Sequence, residues 1–159
     1  MNRVLYSIWY SDSISSKDIF YLTEQKKIIA FLNLDELIHY CNSNFIKLEN
    51  TDINGIYDLD FLIYIVNIND CINIPIIEEI DLFDFMSFFC DLKLTFDKYF
   101  KQSIILLNIM DFFFSYSNKP EIIMLLKKKE KNYLRQFISE SVVLLSQKIE
   151  YFTSGKESE

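Results

Sequence analysis

Glycine and proline are nearly missing from this chain, two of each in 159 residues, and that scarcity excludes more folds than any motif present. Long all-β folds need many tight turns with φ > 0, and phosphate-cradling loops need glycines where backbone and ligand approach closely. Neither has raw material here. Dinucleotide-binding and P-loop readings fall away, and an α+β fold is expected, with a small N-terminal antiparallel sheet packed with helices.

The length suits one compact domain, and 50 % hydrophobic residues are enough to fill its core. The apolar half leans on Ile, Leu, Phe and Tyr, which bury large areas per residue. One domain is expected over 1–152, with a frayed tail at 153–159. No uncharged run approaches the roughly 18 to 20 residues that cross a bilayer. The opening residues lack the apolar stretch and small-residue site of a secretory signal. A cytoplasmic protein is expected. Cys41, Cys71 and Cys90 are widely spaced and form no CxxC pair, and His39 is the single histidine. Reduced, partly buried thiols fit better than a disulfide framework or a zinc site.

A formal charge of −7 argues against nucleic acid as a direct ligand, since duplex binding draws on Lys and Arg that neutralise phosphates. It favours a basic protein as partner, although solubility alone also accounts for moderate negative charge.

Val4 to Tyr10 is β-branched and aromatic, as a strand at a sheet centre would be. Ser11 to Lys17 reads as a polar loop. Ile19–Leu22 and Ile28–Phe31 flank a polar stretch at hairpin spacing, so about three antiparallel strands are expected at the N-terminus. Asn33 can then cap a helix with Glu36 three residues on, and Leu34, Leu37, Ile38 and Cys41 fall on one face. After an Asn-rich connection from Asn42 to Asn54, Asp58 is placed to cap a second helix with Leu59, Leu62, Ile63 and Val66 inward.

The segment after Pro75 is apolar nearly all round, except that Asp81, Asp84, Ser87 and Asp91 recur at three and four residue steps and form one polar stripe. A helix from about Asp97 to Ser115 and a break at Asn118–Glu121 follow. A long last helix keeps Leu126, Tyr133, Phe137, Val142, Leu145, Ile149 and Phe152 near one stripe, with Lys127–Lys131 and Arg135 outward. About five helices result.

Chemistry is sparse. His39 points away from the apolar face of its helix, and with Cys41 only two residues away the pair cannot share a side. Asp58 with Asp60, and Glu78 with Glu79, sit where helix starts attract acids anyway. No catalytic residue, metal ligand or cofactor site is indicated. The seam of Asp81, Asp84 and Asp91 is the most informative acidic feature, because charge on an apolar helix must reach solvent or a partner. A carboxylate row beside exposed aromatics can steer and hold a basic protein. The aromatic run Phe112–Phe114 is explained by core packing.

With these elements in order, three stretches resemble small immunity proteins of bacterial contact-dependent growth inhibition systems. They are the strand with Trp9 and Ser11-Asp12 followed by Ile28–Ile38, then Tyr57–Leu62, then Asp70-Cys71 leading to Asp81-Leu82-Phe83-Asp84. Ile80-Asp81 stands where the family pattern has a Trp-Asn pair. The resemblance implies a cytoplasmic antitoxin without catalysis of its own. It would bind the C-terminal toxin domain of a secreted effector, commonly a nuclease, and cover its active site or substrate surface.

Asp81, Asp84 and Asp91 are the expected partner contacts, with Asp58 and Asp60 behind them. An acidic secretion chaperone that holds an effector segment as a dimer stays open as the alternative, and the oligomeric state is not set by the sequence. An enzyme would require clustered carboxylates around a divalent metal.

Overall fold

The computed structural model describes residues 5–12, 17–47, 82–116 and 120–152. They form an α+β protein with, among the described residues, four α-helices, a three-stranded sheet and a two-stranded sheet. The helix expected from Asp58, Cys71 and the tail from Thr153 lie outside the described residues. The chain divides into two compact units, Met1–Ile56 with Leu145–Glu159, and Tyr57–Leu144.

The first unit is organised by β4 (Ile28–Phe31), whose four residues are all buried. It lies between β1 (Tyr6–Ser7), which pairs with it antiparallel, and β5 (Ile149–Tyr151), which pairs with it in parallel. A strand sealed on both faces tolerates no polar residue, which is why Ile28-Ile29-Ala30-Phe31 reads as an unbroken apolar run. Ile29 and Phe31 face α1 (Leu34–Ser43) and form a core cluster with Ile8, Leu37 and Cys41. The Phe31, Tyr40 and Phe152 rings meet at centroid distances of 5.3, 5.3 and 5.4 Å, a range in which tilted aromatic pairs add stability beyond their buried area.

Three expectations are corrected in this unit. Val4–Tyr10 is not one central strand. It divides at Ile8 into β1 and β2 (Trp9–Asp12), because the Ile8 carbonyl accepts from the Tyr21 N–H at 2.9 Å and redirects the chain toward β3 (Lys17–Phe20). β2 and β3 pair antiparallel from Trp9↔Phe20 to Asp12↔Lys17, so strand extends into the expected Ser11–Lys17 loop. The hairpin between the two apolar runs survives as one bridge, Leu22↔Ile28, closed by a turn at Thr23–Lys27. Third, the last helix stops at Lys148, and Ile149 and Phe152 belong to the sheet, with Phe152 N–H donating to the Ala30 carbonyl at 2.8 Å. The Lys27 ammonium donates to the Gln147 carbonyl at 2.6 Å, where a helix C-terminus presents unpaired carbonyls and partial negative charge.

The capping of α1 follows its sequence. Asn33 Oδ1 accepts from the Glu36 N–H at 2.8 Å, and Glu36 Oε2 accepts from the Leu32 N–H at 3.3 Å, a reciprocal arrangement that satisfies orphan donors at the helix start. At the other end Ile46 N–H reaches the Cys41 carbonyl at 2.8 Å and Phe45 N–H reaches that of Asn42 at 3.4 Å, the Schellman pattern. That pattern places the residue after the cap in the left-handed region, usually as glycine. Here it is Phe45, at φ 57°, where a Cβ costs about 1–2 kcal/mol.

The second unit holds α2 (Leu82–Phe96), α3 (Ile104–Ser115), a 3-10 helix at Pro120–Leu125 and α4 (Lys128–Lys148), whose residues from Leu145 belong to the first unit. Each α-helix buries a stripe at the same spacing: Leu82, Phe85, Met86, Phe89 and Cys90; Leu106, Ile109, Met110 and Phe113; Leu134, Phe137, Ile138 and Ser141. This i, i+3, i+4, i+7 pattern is how a helix presents one face to a core. Ser141 is tolerated there because its hydroxyl donates to the Phe137 carbonyl at 2.7 Å. Phe137 is the hub. Phe89 lies edge-on to it at 6.4 Å, Phe100 and Tyr133 stack on it, and the Lys93 ammonium sits 5.1 Å from its centroid.

One helix boundary and one buried stripe differ from expectation. α3 starts at Ile104 and not at Asp97, because Ser103 Oγ accepts from the Leu106 N–H at 3.2 Å and Asp97 Oδ1 draws the Tyr99 N–H into a separate turn. The buried stripe of α4 includes Leu134 and Ile138, which the expected stripe omitted, while Tyr133, Val142 and Leu145 are half-buried. Among the described residues no helix is long and apolar enough to cross a membrane.

Replacing Phe137 by Ala removes the ring on which four side chains converge. The substitution is expected to destabilise the protein by about 3–5 kcal/mol, read as a lower urea midpoint at unchanged slope; a loss below about 1 kcal/mol would contradict this packing.

Candidate partner-binding surface

Of the five carboxylates expected to contact a partner, Asp84 and Asp91 fall in the described residues; Asp58, Asp60 and Asp81 lie outside them. Both sit on α2, one heptad apart and away from its buried stripe. Asp84 is exposed, and Ser87 and Asp91 are half-buried. Of the described seam residues Asp84 is therefore the one most open to solvent. Its inner part is tied into the helix, where the Thr95 hydroxyl donates to the Asp91 carbonyl at 2.7 Å.

Apolar groups share this unit's surface. Phe83, next to Asp84, meets the ring of Phe114 on α3 at 5.4 Å, and Phe114 is itself 76 % exposed. Ile104 and Leu107 on the same helix are exposed as well. Of the aromatic run, Phe113 is buried, Phe112 half-buried and Phe114 exposed, so the core-packing expectation holds for the first and fails for the last. A cleft of about 200 Å³ is lined by Asn108 and Phe112 of α3 and by Leu125, Leu126, Lys127 and Glu130 at the start of α4. The Glu130 carboxylate there accepts from the Lys127 N–H at 2.8 Å and serves as a helix cap.

Among the described residues of the first unit the exposed aromatics are Trp9 and Tyr10 on β2, Phe45 after α1 and Tyr151 on β5. Phe45 was not singled out from sequence. Its signal lay in the helix itself: continuing the Leu37, Cys41 stripe by four residues leads to Phe45, but the helix closes at Asn44 and turns that side chain out, and Ile46 packs on the core instead.

The two described thiols are buried. His39 is exposed while Cys41 is fully buried on the other side of α1. Cys41 and Cys90 are both free thiols, and burial pushes both up, Cys90 to about 11. The Tyr40 hydroxyl is raised to about 12, first by burial and then by the neighbouring Tyr21. Glu140 is held below the usual carboxylate range by hydrogen bonds from Gln136 at 2.9 Å and Lys93 at 3.1 Å. Among the described residues no three metal-ligating side chains come together.

Comparison with family models, with curated proteins and with solved structures finds no match to this chain.

An acid that holds its proton more tightly when folded stabilises the native state below its unfolded pKa and loses that contribution as pH rises. With Cys90 raised from 9.0 to about 11 and Tyr40 from 10.0 to about 12, the stability these two groups contribute should be intact below pH 9 and lost between pH 9 and 12, read as a melting temperature that falls across that window. A flat profile across that window would contradict the burial of these groups. At pH 8, peptide mapping after alkylation should show Cys41 and Cys90 modified in urea and protected in the native state.

Proposed function

We propose that this chain is a binding protein, an immunity protein that neutralises the toxin domain of a secreted effector, acting in the cytoplasm and without catalysis of its own. The observation that carries the reading is the acidic face of α2. Asp84 is exposed on a helix whose other side is sealed in a core, in a chain of net charge −7, so a basic, nucleic-acid-binding toxin surface is the complementary partner. Three further features support it: the likeness of Trp9–Asp12, Ile28–Ile38, Tyr57–Leu62 and Asp81–Asp84 to such proteins, the exposed aromatics, and the protected thiols. Inhibition follows from coverage. A carboxylate surface that occupies the groove where phosphates would lie competes with the substrate without resembling its chemistry.

Co-expression tests this directly. The C-terminal domain encoded by the adjacent upstream reading frame is expressed with and without this protein. Restored growth and a one-to-one complex are expected; a recovered dimer holding a non-toxic secreted client would point to a secretion chaperone instead. Replacing Asp84 and Asp91 together by Lys should lower the association rate about tenfold or more at low salt and leave the circular dichroism spectrum unchanged. Unaltered association by a folded double variant would remove the acidic seam from the interface.

A further inference from the structure

α3 carries two apolar stripes, and one of them is open to solvent. Leu106, Ile109, Met110 and Phe113 are sealed in the core, whereas Ile104, Leu107 and Phe114 stay 77 %, 42 % and 76 % exposed. With Asp111, itself exposed, these three stand at i, i+3, i+7 and i+10. Those alternating steps of three and four residues are the spacing by which one helix packs along another. A helix apolar nearly all round belongs in a core, so the open stripe is suited to contact, and its spacing suits a helix. Phe83 of α2 widens it, its ring 5.4 Å from that of Phe114.

The charges in and beside the stripe decide what it can take. Asp111 lies between Leu107 and Phe114, one turn from each, and exposed Asp84 follows Phe83 on α2. Covering the stripe removes the Asp111 carboxylate from water, which is costly unless a cation meets it. Lys101 precedes the Ser103 cap, and Lys127 shares a cleft with Glu130 on the other flank, beside Asn108 and Phe112; neither stands in the stripe. An apolar membrane surface brings no cation to Asp111. A second copy would lay against it a stripe whose one charged member is again Asp111.

We propose that this stripe seats a basic amphipathic helix of the toxin domain, with apolar residues against Ile104, Leu107 and Phe114 and a Lys or Arg opposite Asp111. The inference rests on the toxin-neutralising reading above and deepens it by naming the element of the partner that is held. Helix-on-groove recognition divides the work in this way: the apolar anchors carry affinity, and one charge among them fixes register and rejects helices without its counterpart.

The test uses two variants and the purified toxin domain from the adjacent upstream reading frame. Ile104→Gln combined with Leu107→Gln alters exposed side chains only, so the melting temperature should stay within about 2 °C of wild type. The complex should weaken at least about thirtyfold, through faster dissociation. Asp111→Leu makes the stripe more apolar and should still weaken the complex about tenfold, because the opposing cation is then buried without a partner. Tighter toxin binding by Asp111→Leu would overturn the proposal. A melting temperature lowered by more than about 5 °C in the double variant would show that the chain itself covers the stripe, and would overturn it too. Wild-type self-association that the double variant abolishes and Asp111→Leu strengthens would put a second copy there instead. Toxin binding by both variants within twofold of wild type would overturn the proposal and leave the toxin-neutralising reading standing, whereas no wild-type complex at all would remove both.

Discussion

The first unit depends on β4 having a strand on each side. An apolar strand of four residues presents backbone groups along both edges, and each must be paired when the strand is buried. β1 serves one edge, and β5, from far along the chain, serves the other. The Phe31, Tyr40 and Phe152 rings lock that arrangement, since Phe152 can reach Phe31 only if β5 lies in register beside Ala30. Most other features of this unit follow. α1 closes over the face that carries Ile29 and Phe31, and Lys27 meets the end of α4 because the strand it precedes lies beside the strand that follows that helix.

The second unit is built on a different rule, repetition of one spacing. Three helices each bury residues at i, i+3, i+4 and i+7, and on Phe137 of the last of them converge the rings of Phe89, Phe100 and Tyr133. The polar atoms in this core are accounted for locally. Ser141 bonds back one turn, and Lys93 covers the Phe137 ring while it pairs with Glu140 at 3.1 Å. An ion pair half in solvent adds little energy, and the Lys93 ammonium over the Phe137 ring adds a cation–π contact to it.

Local signals in the sequence were readable and non-local ones were not. Asn33 with Glu36, and the Leu37 and Cys41 stripe, defined α1 because caps and helical periodicity act within a few residues. The stripe of α2 was legible for the same reason. β5 was hidden because Ile149 and Phe152 are spaced as a helix would space them; only the unpaired edge of β4 makes them a strand. The division at Ile8 was hidden too, since Tyr6 through Tyr10 is equally suited to either sheet. At the candidate surface, the exposure of Asp84 was legible from charge periodicity on an apolar helix. Phe45 was missed because its exposure depends on a helix ending one residue before it.

The parallel pairing of β5 with β4 has a consequence during synthesis. Ile28–Phe31 leaves the ribosome before the strand that covers its second edge, which comes more than a hundred positions later, at a separation of 120 residues for the Lys27–Gln147 contact. Throughout that interval the nascent chain exposes an apolar strand edge of the kind that recruits other chains. The four described α-helices between the two strands are each held by contacts local in sequence and can form meanwhile. The sheet is then the last part to close, and the order of translation sets the order of assembly.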